Sequence, residues 1–254
     1  MDLGGLEPSH IQAFFSEMVS EPKKAASSSI KRRAWVLGDF FKYCQDNLRL
    51  ADFANLTKET ALKIRETTPI VNRSRKTLTK VEAKRLRLAP LLSLESAEGN
   101  KKAILIRDAL LIEIALQTGA TSSEIVSLRR SDIQISESAS TIAFGEMDLR
   151  REIVIDNSLR QLFGAYDKLL KLSTDDYLFF HTKGWCIEIK NGLSRQSFNE
   201  ILLRYSKILG IHVSPDILRN TFIKNFQGTD QELGRILGVA FETAGAMRRS
   251  IQPS

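Results

Sequence analysis

Several groups of side chains in this chain have the chemistry to hold an anion. Lys31, Arg32 and Arg33 fill the first turn of a helical pattern that opens in Ser27 to Ser29. A helix N-terminus carries positive partial charge, so cations there cost stability unless an anion sits nearby. A phosphate would supply it. From Arg73 to Arg87 there are seven Lys or Arg, among them Arg75 and Lys76, and one acid, Glu82. Such a run suits a wrapping contact with a polyanion. The alternative for each cluster is a solvated charged face. Cys44 and Cys186 lack CxxC spacing and a nearby His pattern, so neither a metal site nor a cofactor motif is expected.

The elements that position these groups read mainly as helices. The chain has 254 residues, 43% hydrophobic and 26% charged, with net charge +7, which allows one large domain or two smaller ones. A basic balance favours an acidic partner. Ser9 reads as the N-cap of a helix with Ile11, Phe14, Phe15 and Met18 on one face. The next helix buries Ile30, Ala34, Leu37, Phe41 and Cys44. Pro69 and Asn72 to Lys76 break the periodicity and mark a linker over residues 66 to 78.

Beyond it, Thr79-Lys80-Val81-Glu82 and Thr121-Ser122-Ser123-Glu124 have capping-box form. Ile104 to Leu116 is apolar on most faces, as a central buried helix should be. It contains Arg107, Asp108 and Glu113 and is too short to span a bilayer. Thr141 to Gly145 and Glu152 to Ile155 read as paired strands, with further short strands at Tyr177 to Phe180 and Trp185 to Ile189. Ser197 to Glu200 reads as a third box. It leads a helix with Phe198, Ile201, Leu202, Tyr205 and Ile208 inward. Asp216 reads as the cap of the following helix, and a last helical stretch covers Gln231 to Met247.

Five segments, in order, resemble the Xer and phage-integrase group of tyrosine recombinases. Ser28 to Phe41 resembles that family's core-binding helix. Arg107 through Gly119, then Ser123 to Leu128 and Ser131 to Ile133, resembles its first conserved block. Tyr177 to Phe180 with Ser194 to Phe198 resembles the strand and helix before the second block. Ser214-Pro215-Asp216-Ile217-Leu218-Arg219-Asn220-Thr221-Phe222 resembles the second block, and Leu237-Gly238 the third.

The resemblance implies a mainly α fold with a small antiparallel β-sheet in two domains. These are a short helical core-binding domain over 1–70, a basic linker over 71–78 and a catalytic-like domain over 79–254. It also implies a chemistry: a tyrosine hydroxyl attacks a phosphodiester, two arginines hold the phosphate oxygens, a hairpin lysine protonates the leaving oxygen, and two histidines assist.

Most of those positions have changed. The first arginine falls on Thr121, the hairpin lysine among Glu146, Met147 and Asp148, and the two histidines on Asp216 and Val239. Arg219 keeps the second arginine. The nucleophile falls near Met247 or Arg248, whereas the tyrosines are Tyr43, Tyr166, Tyr177 and Tyr205. Little chain follows the third block to form the terminal helix that Xer proteins exchange with a neighbour.

The reading is therefore a duplex-DNA-binding protein, not an enzyme, acting as an architectural or regulatory factor or beside an active tyrosine recombinase. Self-association on DNA is a further possibility. The expected DNA contacts are Lys31, Arg32, Arg33, Arg73, Arg75, Lys76, Arg129, Arg130, Arg150, Arg151, Arg195, Gln196, Arg219 and Asn220. The expected location is the cytoplasm, at the nucleoid, with no membrane segment. Two alternatives stand beside it: a divergent recombinase with another nucleophile, and a protein-binding scaffold, which the acidic turn at Glu146 to Asp148 would favour.

Overall fold

A computed structural model describes residues 7–19, 27–48, 53–67, 75–136, 139–145 and 150–251. Arg73 and the turn at Glu146 to Asp148 lie outside the described residues, as does the side chain of Lys31. The chain forms two compact units, Met1–Arg73 and Ser74–Ser254.

The first unit holds three helices, α1 (Pro8–Val19), α2 (Ser27–Leu48) and α3 (Phe53–Thr67). Apolar residues at helical spacing on α1 and α2 meet: Ile11, Phe15 and Met18 join Ile30, Ala34 and Phe41, with Ala61 of α3. Cys44 is buried, as its stripe predicts. Ser9 is not the cap. The helix begins one residue earlier, and Ser9 turns back to donate to the Glu7 carboxylate at 3.2 Å. Sequence reading did not find α3. Two of its inward positions are threonines, Thr57 and Thr60, which blur the apolar stripe.

The second unit is built around α5 (Gly99–Thr118), whose Leu110, Leu111, Ile112 and Ile114 are fully buried. Around it stand α4 (Lys80–Leu88), α6 (Ser122–Ser127), α7 (Asn157–Leu170), α8 (Arg195–Leu209), α9 (Pro215–Asn225), α10 (Asp230–Leu237) and α11 (Phe241–Ile251). Strands β1 (Ile133–Ile135), β2 (Ser140–Phe144) and β3 (Arg151–Val154) form an antiparallel sheet in that order, with Ile142 opposite both Ile133 and Ile153. Strands β4 (Phe180–Lys183) and β5 (Cys186–Gly192) form a separate hairpin. The fold is mainly α with small antiparallel sheets. No helix among the described residues is long and apolar enough to cross a membrane.

The capping boxes at Thr79 and Thr121 form as the sequence predicts. Four other expectations need correction. The cap of α8 is Ser194, which accepts from the Ser197 N–H; Ser197 is three residues inside. Ile208 on that helix is exposed, not inward. The cap of α9 is Ser214, with Pro215 in the first turn, where its missing N–H costs nothing. Asp216 thus lies within that turn, where its charge complements the helix dipole. The last helical stretch is two helices, parted where Gly238 turns left-handed at φ +65.

The boxes make stability depend on acid. Hydrogen bonds from Thr79 to Glu82, and from Thr229 to Glu232, hold both carboxyls below the usual range. At Glu124, burial pushes upward, but Arg151 and Thr121 together outweigh it and the net shift is downward. A carboxyl depressed in the folded chain stabilises above its unfolded value, about 4.3, and that contribution fades as pH falls through the folded value. Urea unfolding followed by circular dichroism should therefore show stability dropping below about pH 4. Glu124→Gln should shrink that drop.

Candidate nucleic-acid interface

Thr121 opens α6 and is spent on capping. Its N–H donates to Glu124 Oε2 at 2.7 Å, and its hydroxyl accepts from the Glu124 N–H at 3.3 Å. The other carboxylate oxygen of Glu124 meets Arg151 Nη1 at 2.8 Å. Arg151 reaches this point from β3, and its Nε donates to the Ile236 carbonyl of α10 at 2.6 Å. One guanidinium thus ties together residues far apart in sequence. Gly238 is part of the same knot: a Cβ there would stand 3.0 Å from Arg151 Nη1.

Arg219, on α9, donates to the carbonyl of Gly119 at the end of α5. Burial lowers its pKa. Glu124 and Asp216 oppose that shift, while Arg151 and Arg75 add to it, so all five charges are near neighbours. Three cations, Arg75, Arg151 and Arg219, stand against two carboxylates there, and the Thr121 position supplies no further cation. Arg151 Nη2 is buried with no acceptor.

Met247 and Arg248, where the resemblance expects a nucleophile, are both engaged within the fold. Arg248 of α11 forms an ion pair with Asp230 at 3.0 Å and donates to the Gly228 carbonyl at 2.9 Å. Its guanidinium also lies 5.9 Å from the Phe226 ring centre. The neighbouring Met247 packs on a small core of Ile223, Leu233, Leu237, Ala244 and Ile251. Val239 leans on that core too, and its N–H donates to Gly234 at 3.0 Å.

The tyrosines are engaged elsewhere. Tyr166 donates to the Leu178 carbonyl at 2.7 Å, and Tyr205 to Asp108 Oδ2 at 2.9 Å. Burial pushes both phenol pKa values well up, so neither ionises readily. Tyr177 lies beneath the Arg129 guanidinium at 4.6 Å, and Tyr43 is exposed in the first unit.

The basic residues singled out by sequence divide into two groups. Arg150 is exposed and lines an open cleft with Ser123, Ser127 and Arg129. Arg195 Nη1 reaches Ser123 Oγ at 3.5 Å, which brings the N-terminal ends of α6 and α8 beside that cleft. Arg75 and Lys76 are exposed where the chain enters the unit. Arg32 and Arg33 are exposed on α2 beside Phe14 and Val36.

The remaining described side chains singled out by sequence, and Arg129 again, each hold a partner within the unit. Arg130 pairs with Asp167 at 2.8 Å and donates to Ile133 at 3.1 Å. Arg129 donates to the Asp175 carbonyl. Asn220 is buried and donates to the Lys76 carbonyl at 3.3 Å, so its amide anchors the incoming chain. Gln196 is exposed, but its amide donates to Glu200 at 3.0 Å. Sequence reading had no signal for the pairings of Arg151 with Glu124 and Arg248 with Asp230, because each joins residues from different elements.

Comparison with known proteins agrees with this architecture. The tyrosine recombinase XerD of Neisseria meningitidis is 32% identical over 123 residues, covering 46% of this chain and 40% of that protein. The tyrosine recombinase XerA of Pyrococcus furiosus is 32% identical over 119 residues, with the same coverage. The matched stretch thus spans less than half the length of either relative. Among solved structures, XerH site-specific recombinase bound to palindromic difH has a TM-score of 0.69 at 17% identity, covering 99% of this chain and 71% of that one. XerA recombinase has a TM-score of 0.56 at 20% identity, covering 97% and 86%. These two structures show a shared fold. The pattern of the Phage integrase family matches residues 76–227, more than half of the chain, and the chain therefore belongs to that family.

Proposed function

We propose that this chain binds double-stranded DNA without cutting it, as an architectural factor or beside an active tyrosine recombinase. The observation that carries the reading is Arg248. The family resemblance expects a nucleophile at Met247 or Arg248; the methionine packs on a small core, and the guanidinium pairs with Asp230 and donates to Gly228. Arginine has no nucleophilic oxygen, and it stays charged in proteins. The exchanges at Thr121, Asp216 and Val239 point the same way. Each removed donor typically costs several kcal/mol of transition-state stabilisation.

The DNA face in this proposal comprises Arg32, Arg33 and Lys31 of the first unit, which acts as a short core-binding domain, and Arg73, Arg75 and Lys76 of the linker. The second unit adds Arg150, Arg195 and Gln196, with Arg129 and Arg219 at its edge. Arg130, Arg151 and Asn220 serve mainly to hold that face together. The relative XerH was solved with its difH DNA, which supports duplex DNA as the partner.

Gel shift across a salt series tests the binding. Affinity should fall steeply with salt, because each neutralised phosphate releases counterions. Replacing Lys31, Arg32 and Arg33 together with alanine should reduce the slope of log K against log salt by about 1 per lost contact. An unchanged slope would remove α2 from the DNA face. Incubation with nicked duplexes, followed by denaturing gels, tests the chemistry. No covalent adduct is expected. An adduct would overturn the proposal and identify a divergent recombinase, and absence of any DNA binding would favour a protein scaffold.

A further inference from the structure

On the far side of Arg150 lies a second cleft of about 650 Å³, lined by Arg150, Arg151, Gln231, Arg235, Phe241 and Glu124. Its construction is specific. Gln231 and Arg235 stand one turn apart on α10, so they share a face. Gly234 lets the start of α11 press against α10: a Cβ there would fall 2.8 Å from the Val239 carbonyl and 3.4 Å from Phe241 Cα. That close crossing sets Phe241 at the rim, where 58% of its surface stays exposed.

The charges are uneven. Glu124 is the one carboxylate among these lining residues, and Arg151 already holds it. Arg150 and Arg235 make no ion pair among the described residues. The buried Nη2 of Arg151 has no acceptor, and buried donors in native proteins nearly always find one. The cleft therefore combines an exposed ring, an amide with both donor and acceptor, and two guanidinium groups, of Arg150 and Arg235, that make no ion pair among the described residues. An apolar ligand would not suit the cations, and a bare phosphate would leave the ring and the amide unused. A nucleotide uses all three. Its base stacks on the ring, its edge meets the amide, and its phosphate meets the cations. A regular duplex keeps its bases inside the stack, so the nucleotide must be unpaired.

We propose that this cleft takes a single unpaired nucleotide, with its base on Phe241 and its phosphate between Arg150 and Arg235. The proposal rests on the reading that the chain binds DNA, and it makes the protein selective for bulged or distorted sites.

Fluorescence anisotropy at one salt concentration tests it, with a labelled regular duplex and the same duplex carrying one unpaired adenine. The bulged duplex should bind about tenfold more tightly. Phe241→Ala and Arg235→Ala should each bring the two affinities towards parity while leaving the regular duplex as before. Circular dichroism checks that both variants fold. No preference in the unaltered protein overturns the proposal, and so does a preference that survives in both variants. Failure of the regular duplex to bind would instead sink the duplex-binding proposal. Short oligothymidylate then decides about the cleft: binding that Phe241→Ala abolishes upholds it, and no binding ends it.

Discussion

Asp108→Ala should cost about 3–5 kcal/mol of unfolding free energy, the largest loss expected from a single truncation in the second unit. Asp108 is fully buried on α5 and anchors a closed ionic network. Its Oδ1 accepts from Arg107 Nε at 3.0 Å and Nη2 at 2.8 Å, while the remaining Arg107 nitrogen donates to the Phe180 carbonyl at 3.1 Å. Its Oδ2 accepts from Tyr205 and from Arg204. Arg107 is only 2% exposed, so removing its carboxylate strands a charge in the interior. Attraction within a buried pair does little more than offset its desolvation, but breaking the pair exposes the full penalty. Arg204→Ala is the control. That side chain is 50% exposed and leaves the inner pair intact, so its loss should cost about 1 kcal/mol or less. Urea denaturation measures both. Equal effects would mean that the network acts as surface charge rather than as a buried unit.

Gly119→Ala should destabilise by roughly 2–5 kcal/mol, combining backbone strain with overpacking. Gly119 ends α5 at φ +61, a conformation that disfavours any Cβ. The added carbon would also lie 2.3 Å from Phe222 Cδ1 and 3.0 Å from Leu237 Cδ2. Gly184→Ala isolates the first contribution. Gly184 has φ +63 with nothing within 4 Å of the added carbon, so strain alone applies and about 1–2 kcal/mol is expected. Thermal melts compare the two directly. Because the Gly119 carbonyl also receives the Arg219 guanidinium, the proposed DNA binding should weaken in the damaged variant along with stability.

The local grammar of the chain was readable, and its long-range pairings were not. The threonine and glutamate of each early box stand three residues apart, so Thr79 and Thr121 declare their helices without help from the rest of the fold. Strands β2 and β3 are short apolar runs on either side of a polar turn, which lets them be paired from sequence although β2 does not alternate. The caps of α8 and α9 lie three and two residues ahead of the expected Ser197 and Asp216, at Ser194 and Ser214, and Pro215 marks the start of α9. Helix α7 escaped notice despite Leu159, Phe163 and Tyr166 at helical spacing and Asp156 as its cap. The candidate site shows the same division. The block pattern could point to Thr121, Asp216, Arg219 and Val239 as candidates, since each sits at a fixed offset from a local motif. Phe241, Gln231 and Arg235 gave no such signal, because the cleft exists only where α10 and α11 cross at Gly234.

The tie between Arg248 and Asp230 bears on what α11 can tolerate. A tyrosine placed at position 248 would dissolve the ion pair, leave Asp230 without its cation, and release the Gly228 carbonyl from its donor. Thr121 would still be capping α6, so the newcomer would face no second phosphate clamp. Position 248 thus works as a fastener: any side chain there that lacks a cation loosens the join between α11 and the start of α10, whatever else it brings.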